Sequence, residues 1–321
     1  MTARILVTGA NGMVGAALVK HLRQDSNVEV IEAVRATSTG NRSPQARVIG
    51  DIGPRTRWAD ALAGIDVVVH CAARVHIMGE TDTSTALSKF REVNVAGTER
   101  LAMECVQAGV KRLVFVSSVK VNGESTSGRA PFRYDDVPAP LDPYGISKSE
   151  AEASLMKVAQ HTGLEVVVVR PPLVYGPGVK ANFLRLMQTV ARGIPLPFGA
   201  VDNRRSMVYV GNLVDLLSIA ATHPAAAGQT FMVSDGDDLS TRGLIEGIAR
   251  AMDVRPKLVP VPAGLMRGVA ALLGKKAVSD RVLGSLQVDI DHTCRTLDWH
   301  PPLPVAAGLQ ATVAAWRAAQ P

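Results

Sequence analysis

The sequence predicts an α/β protein: a doubly wound parallel sheet over residues 1–170, with a return near 207–235, and a smaller C-terminal lobe over 171–321. Three observations predict it. The apolar run Ile5-Leu6-Val7-Thr8 leads straight into glycines at positions 9, 12 and 15, and Val14, Ala17, Leu18 and Leu22 then recur at helical spacing. Short β-rich runs alternate with helical stretches as far as Arg170, the pattern of a parallel sheet with right-handed crossovers. Beyond Arg170 the rhythm breaks at Pro171-Pro172, Gly176-Pro177-Gly178 and Gly193-Ile194-Pro195-Leu196-Pro197.

Taken in order, the expected strands are residues 5–8, 28–34, 67–71, 113–117 and 165–170, with 46–49 a weaker one. Four consecutive valines at 166–169 do not alternate with polar residues, so that strand is expected to be central and covered on both faces. Helices are expected at 13–23, 58–63, 85–108 (as one long helix) and 147–162. In the second half they are expected at 182–192, 212–221, 241–252, 264–273 and 305–319, with Ser240 or Thr241 capping the third. Runs at 207–210 and 231–233 are read as returning to the sheet.

The opening stretch is built to hold a phosphate group. Its first glycine allows a tight turn, the second lets a pyrophosphate approach the backbone, and the third seats the helix on the strand. The helix N-terminus adds unpaired N–H groups and a partial positive charge. Gly9, Asn11, Gly12, Met13 and Val14 are therefore candidate dinucleotide contacts. Dinucleotide folds usually place an acid on the ribose at the end of the second strand. Here that strand ends Ala33-Val34-Arg35, and an Arg accommodates a 2′-phosphate, which favours NADP(H) over NAD(H). The competing reading leaves Arg35 at the surface and gives the ribose to Glu32. Asp51-Ile52 is placed at the adenine, and Cys71-Ala72-Ala73 as a small-residue strand end lying against the dinucleotide.

Composition narrows the function classes. The 321 residues carry a net charge of +6 with a pI near 9.4, but Lys and Arg are scattered, so a nucleic-acid stripe is not expected. Cys71, Cys105 and Cys294 are far apart and odd in number, which suggests neither a disulfide framework nor a metal site. No stretch approaches the roughly twenty apolar residues needed to span a bilayer. The strand that follows Arg4 at once leaves no room for a signal peptide, so a cytoplasmic location is expected.

The candidate catalytic element is Asp142-Pro143-Tyr144-Gly145-Ile146-Ser147-Lys148, where Asp142 caps a helix and Pro143 opens it. Tyr144 and Lys148 are then four apart on one helix face. A free phenol has a pKa near ~10, and a nearby ammonium is expected to lower it. Ser117 and Ser118 close the strand at 113–117 at the carboxyl edge, where such folds bind ligands, and a hydroxyl there can donate to a substrate carbonyl.

Together, Gly9-x-x-Gly12-x-x-Gly15, Ser118, Tyr144-x-x-x-Lys148 and the run from Arg170 to Gly178 resemble the extended short-chain dehydrogenase/reductase family of nucleotide-sugar epimerases, dehydratases and reductases. The resemblance runs from Arg4 to about Pro301. It implies a Rossmann domain holding NAD(P), a Ser118-Tyr144-Lys148 catalytic set, and a lobe that binds a nucleotide diphospho-sugar, here a UDP-sugar. It further implies cofactor contacts from Asn94, Ser117, Tyr144, Lys148, Pro171 and Leu173, and substrate contacts from Ser118, Lys120, Asn182, Phe198, Arg205 and Arg281. Relatives often pair through two long helices, so a homodimer is expected by analogy.

Sugar dehydratases of the family carry an Asp-Glu pair where this chain has Val119 and Lys120, which argues against dehydration. Epimerases of the family normally have an acid where Val34 stands. The run Ser117–Glu124, the turn Asn203-Arg204-Arg205-Ser206 and Ser285-Leu286-Gln287-Val288-Asp289 resemble bacterial UDP-4-keto-6-deoxy-N-acetylhexosamine reductases of O-antigen precursor synthesis. The expectation is therefore NAD(P)H-dependent reduction of a sugar C4 ketone. The alternatives are 4-epimerisation of a UDP-hexose or UDP-N-acetylhexosamine with retained NAD, and a non-catalytic NADP-binding sensor or scaffold.

Overall fold

The computed structural model describes residues 2–35, 44–75, 83–274 and 276–320. Its first half is a repeated strand–helix unit. Strand β1 (Ala3–Thr8) leads to helix α1 (Met13–Leu22), β2 (Val28–Val34), β3 (Ala46–Val48), α2 (Ala59–Leu62) and β4 (Val67–His70). Helices α3 (Thr83–Phe90) and α4 (Gly97–Ala108) follow, then β5 (Arg112–Val116), α5 (Pro143–Thr162) and β6 (Glu165–Arg170). The second half contains β7 (Leu173–Tyr175), α6 (Ala181–Ala191), β8 (Met207–Tyr209), α7 (Val210–Thr222) and β9 (Thr230–Met232). Five helices end the chain: α8 (Thr241–Ala251), α9 (Ala263–Leu272), α10 (Lys276–Leu283), α11 (Asp291–Leu297) and α12 (Val305–Ala318).

Seven strands form one sheet in the order β3-β2-β1-β4-β5-β6-β9, every pair parallel. The order reverses beside β1, so a crevice opens at the carboxyl ends of β1 and β4, the place where such sheets bind ligands. Both faces of the sheet are covered. Leu18 and Leu22 of α1 pack with Leu213, Leu216 and Leu217 of α7 on one side. Trp58, Leu101, Cys105, Ala151 and Leu155 cover the other, over Leu6, Val68, Leu113 and Val166. This burial from both sides explains why strands such as Glu165–Arg170 read as unbroken apolar runs. A further cluster joins Tyr175, Phe183, Met187, Met207, Ile245, Ile248, Leu309 and Val313.

Three local expectations change. Residues 231–233 do return to the sheet, as the β9 edge, but 207–210 do not; β8 pairs with β7 in a separate two-stranded sheet. The expected single helix at 85–108 is interrupted by a π-helical stretch, Arg91–Ala96, between α3 and α4. The helix expected at 147–162 starts one turn earlier, at Pro143, as the reading of Asp142 as its cap and Pro143 as its first residue required: Asp142 accepts the Gly145 N–H at 2.7 Å and Pro143 needs no helical donor. Among the described residues no helix is long and apolar enough to cross a membrane, and no cluster of His, Cys, Asp and Glu could hold a metal ion.

Candidate active site

The glycine turn is packed too closely for any side chain. Gly9 has φ +67°, and a Cβ on it would stand 2.8 Å from the Ala72 backbone nitrogen. A Cβ on Gly15 would lie 2.2 Å from the Gly9 carbonyl oxygen, so the third glycine brings α1 onto the turn itself. Gly12 is the N-cap of α1, with no side chain capping it and no acid in the first turn. The first-turn N–H groups are thus left to an external acceptor, which fits the phosphates of a dinucleotide.

The same turn touches the end of β4. Thr8 and His70 are paired in register, and Thr8 Oγ1 lies 2.7 Å from His70 Nδ1 while also accepting the Ala72 N–H at 3.2 Å. His70 Nε2 lies 3.1 Å from Thr98 Oγ1. Burial, with the Lys148 charge adding to it, lowers the His70 pKa to about 3, so this imidazole is a neutral spacer under the site. Burial likewise pushes the Cys71 thiol up to about 12, which makes it a packing residue and no nucleophile.

Helix α5 carries the phenol and the amine. Lys148 is buried, donates from Nζ to the Val116 carbonyl at 2.8 Å and sits 4.3 Å from the centroid of the Phe115 ring. Desolvation lowers it to about 8, partly offset by Glu152 and Cys71. Tyr144 is half-buried against Phe90, ring centroids 6.0 Å apart. Its pKa is raised, by burial first and by the Asp142 charge second. This corrects the expectation that the lysine lowers it: in the protein alone Lys148 is held by a main-chain carbonyl, and burial of the phenol dominates.

The two serines separate. Ser117 is buried and donates to Glu152 Oε1, whereas half-buried Ser118 Oγ accepts the Lys120 N–H at 3.2 Å, which keeps its own O–H available to donate. Glu152, one turn beyond Lys148, is the functional neighbour that the sequence did not reveal. It also accepts from Arg170 Nε at 3.0 Å and Nη2 at 2.6 Å, and Arg170 Nη1 reaches Asn122 Oδ1 at 3.1 Å and the Tyr134 carbonyl at 3.3 Å. Asn94 sits in the π-helical stretch and donates to Ser147 Oγ at 3.0 Å and to the Arg74 carbonyl at 3.1 Å, accepting the Arg74 N–H at 2.8 Å. It joins the loop after β4 to α5, so its visible work is to position Tyr144 and Lys148.

The remaining expected residues fall into two groups. Arg35 is exposed, and its guanidinium lies 3.6 Å from the exposed carboxylate of Asp51, a weak surface pair. Glu32 is engaged by Arg23. Ile52 packs against Gly97, the Pro171 carbonyl accepts the Val119 N–H at 2.9 Å, and Leu173 is about half exposed at the start of β7. Met13 and Asn11 open onto a cavity of about 880 Å³ that runs between α1 and α7. Val14 packs partly buried against the core, and Ala73 is half-buried in the loop after β4.

On the substrate side, Lys120 pairs with Glu124 at 3.2 Å and with Asp142, the cap of α5. Arg281 pairs with Glu124 at 3.3 Å and lies 3.9 Å from Asp142. The four charges form one cluster at the N-terminus of the catalytic helix. Arg205 donates to the carbonyls of Arg281 at 2.6 Å and Gly284 at 3.1 Å, so it shapes the turn that carries Arg281. Phe198 is half-buried, and Asn182 is exposed at the start of α6 beside Ala181, whose φ is +53°.

Residues 5–234 match the model of a family described as NAD dependent epimerase/dehydratase. A protein of Vibrio cholerae described as UDP-glucose 4-epimerase is 46% identical over 317 residues, which is 98% of this chain and 96% of that protein. An Escherichia coli O157:H7 protein described as N-acetyl-alpha-D-glucosaminyl-diphospho-ditrans,octacis-undecaprenol 4-epimerase is 28% identical over 86% of this chain and 82% of its own. The solved structure of MoeE5 in complex with UDP-glucose and NAD superposes with a TM-score of 0.76 at 27% identity, covering 98% of this chain and 99% of that one.

Proposed function

The chain belongs to the NAD-dependent epimerase/dehydratase family, and from that premise we propose that it is a UDP-sugar 4-epimerase, inverting C4 of a UDP-hexose or UDP-N-acetylhexosamine with NAD retained. The single observation that carries this reading is the 46% identity, over nearly the whole of both chains, to a UDP-glucose 4-epimerase. It overturns the expected reduction of a UDP-4-keto-6-deoxy-N-acetylhexosamine. The segments that suggested a reductase do internal structural work. Lys120 and Glu124 pair with each other, Asn203 donates to the carbonyls of Val282 and Gly284, and Ser285 and Gln287 accept main-chain bonds from Thr126 and Phe132. Such contacts fasten the two halves of the chain together and carry no information about net reduction.

The preference for NADP(H) also gives way to NAD. Arg35 is matched by Asp51, and the structural neighbour at 27% identity holds NAD. The cradle formed by Gly9, Gly12 and Gly15, with the small strand end Cys71-Ala72-Ala73, fits a dinucleotide on the grounds given above. When bound, NAD supplies a reversible hydride acceptor at C4.

The chain's own residues handle the proton and the orientation. Tyr144 takes the proton from the C4 hydroxyl as the carbonyl forms and returns it when C4–H is restored on the opposite face, so the reaction has no net redox change. Ser118 donates to the same oxygen, and Lys148, lowered to about 8, still carries its positive charge at neutral pH one helical turn from Tyr144. Asn94 and Glu152 fix the helix that carries both groups. On the other side of the sugar, Lys120 and Arg281 supply cationic donors for a diphosphate, and Arg205 holds the turn that carries Arg281.

The test is direct. Purified protein is denatured to identify any released nicotinamide, and intact protein is incubated with UDP-glucose and with UDP-N-acetylglucosamine. The expected result is released NAD and a mixture of C4 epimers approached from either side, without accumulation of NADH. Failure to form either epimer, together with steady NADPH consumption on a 4-keto sugar, overturns the reading.

A further inference from the structure

Helix α9 stands apart from every other helix of eight residues or more whose burial is described: none of its residues is buried. Among the described residues it also carries the largest concentration of exposed apolar side chains. Leu265 is 61% exposed, Val269 50%, Leu272 89% and the following Leu273 66%. Positions 265, 269, 272 and 273 lie within one helical stripe. Gly264, Gly268 and Ala271, also exposed, border the stripe on one side. Met266 and Ala270 are half-buried, and Arg267 donates across to the Leu283 carbonyl of the neighbouring α10 at 3.4 Å. The outward arc therefore has neither a charge nor a side-chain hydrogen-bonding group, over a helix about 15 Å long.

The sequence that flanks this arc is basic. Between Asp253 and Asp280 the chain has no acidic residue, but it has Arg255, Lys257, Arg267, Lys275 and Lys276. Arg255 and Lys257 are exposed on the segment that leads into α9. Val259 on that segment is exposed as well, and it bonds to the Leu196 carbonyl close to exposed Ile194. This charge pattern discriminates between occupants. A second copy docking through the same patch would bring the exposed Arg255 and Lys257 of each copy together, which opposes a self-complementary contact. An anionic surface meets both features at once, because apolar side chains insert while flanking cations meet the head groups.

We propose that α9, with its basic flanks, is a membrane-docking helix that lies in the interface of an anionic lipid bilayer. It would hold the enzyme at the surface without crossing it. The proposal does not depend on the sugar chemistry, since α9 contributes no residue to the cofactor cradle or to the Ser118, Tyr144 and Lys148 set.

The experiment is flotation of the full chain with vesicles. Phosphatidylglycerol–phosphatidylethanolamine vesicles are expected to carry the protein upward at low salt, and phosphatidylcholine vesicles to carry much less. A salt concentration of about 1 M shrinks the Debye length to roughly 3 Å and is expected to release most of it. The double variant Leu265→Gln, Leu272→Gln is expected to lower the bound fraction about tenfold or more. Its thermal melt should match wild type, because both side chains are already exposed. Absence of flotation with anionic vesicles overturns the proposal, as does equal flotation of the double variant. A variant that instead changes from dimer to monomer in size-exclusion chromatography would assign the stripe to a second copy and overturn it equally.

Discussion

Replacing Glu152 by Gln tests the buried ionic framework beneath the active site. Glu152 and Arg170 are nearly inaccessible, with side-chain exposures of 9% and 6%. The carboxylate accepts from Arg170 Nε, Arg170 Nη2 and Ser117 Oγ. Gln keeps the shape but turns one acceptor oxygen into an amide that faces N–H donors, and it leaves the Arg170 charge without a counterion. Breaking one partner of a buried pair costs about 3–5 kcal/mol, a large share of the ~5–15 kcal/mol that stabilises a typical domain. Urea unfolding followed by circular dichroism should therefore show the variant weakened by that amount. Glu152→Leu combined with Arg170→Met removes both charges and leaves Ser117, Asn122 and the Tyr134 carbonyl each short of one bond, about 1 kcal/mol apiece. The double variant should thus be more stable than Glu152→Gln. Loss of less than about 1 kcal/mol in Glu152→Gln, or a double variant weaker than the single, would refute this account of the framework.

Four shorter predictions follow from the same geometry. Tyr144→Phe should lower kcat for epimer formation about 10²- to 10⁴-fold with little change in KM, measured by chromatography of the UDP-sugars. Gly15→Ala, whose Cβ meets the Gly9 carbonyl oxygen, should purify with its nicotinamide largely lost, read from the absorbance of the denatured supernatant. Asp142→Ala removes the cap of α5 and the partner of Lys120; it should cost about 1 kcal/mol in stability and raise KM for the UDP-sugar more than it lowers kcat. His70 has a folded pKa near 3 against the ordinary 6.5, so between these values the unfolded chain binds the extra proton. Stability must then fall as pH drops from 6.5 toward 3, and His70→Gln should show a shallower fall in urea midpoints over that window.

The sheet was legible because parallel strands buried on both faces leave uninterrupted apolar runs, as at Val166–Val169, and because glycines mark the first turn. Three elements were not. Lys276–Leu283 and Asp291–Leu297 are short helices whose polar residues blur the 3.6 period, and Leu173–Tyr175 is three residues long behind two prolines. In the site, the spacing of Tyr144 and Lys148 was readable because helix geometry alone puts them on one face. The partners of that pair were not readable, because they meet across elements. Glu152 joins Ser117 over 35 residues, and His70 joins Thr8 over 62. The sense of the Tyr144 shift was misread for a related reason: it depends on burial, which spacing does not reveal.

The six-residue π-helical stretch from Arg91 to Ala96 has a consequence for how this chain tolerates length changes. Its wider turn accommodates one residue more than a regular helix would, and that surplus aims Asn94 at both Ser147 and the Arg74 backbone. Deleting a single residue there would let the coil tighten into ordinary α geometry. Everything upstream would swing by about 100° around the axis, and the amide would no longer span the gap between loop and catalytic helix. A point substitution at 94 removes one clasp; a one-residue deletion nearby would misalign the whole hinge plate.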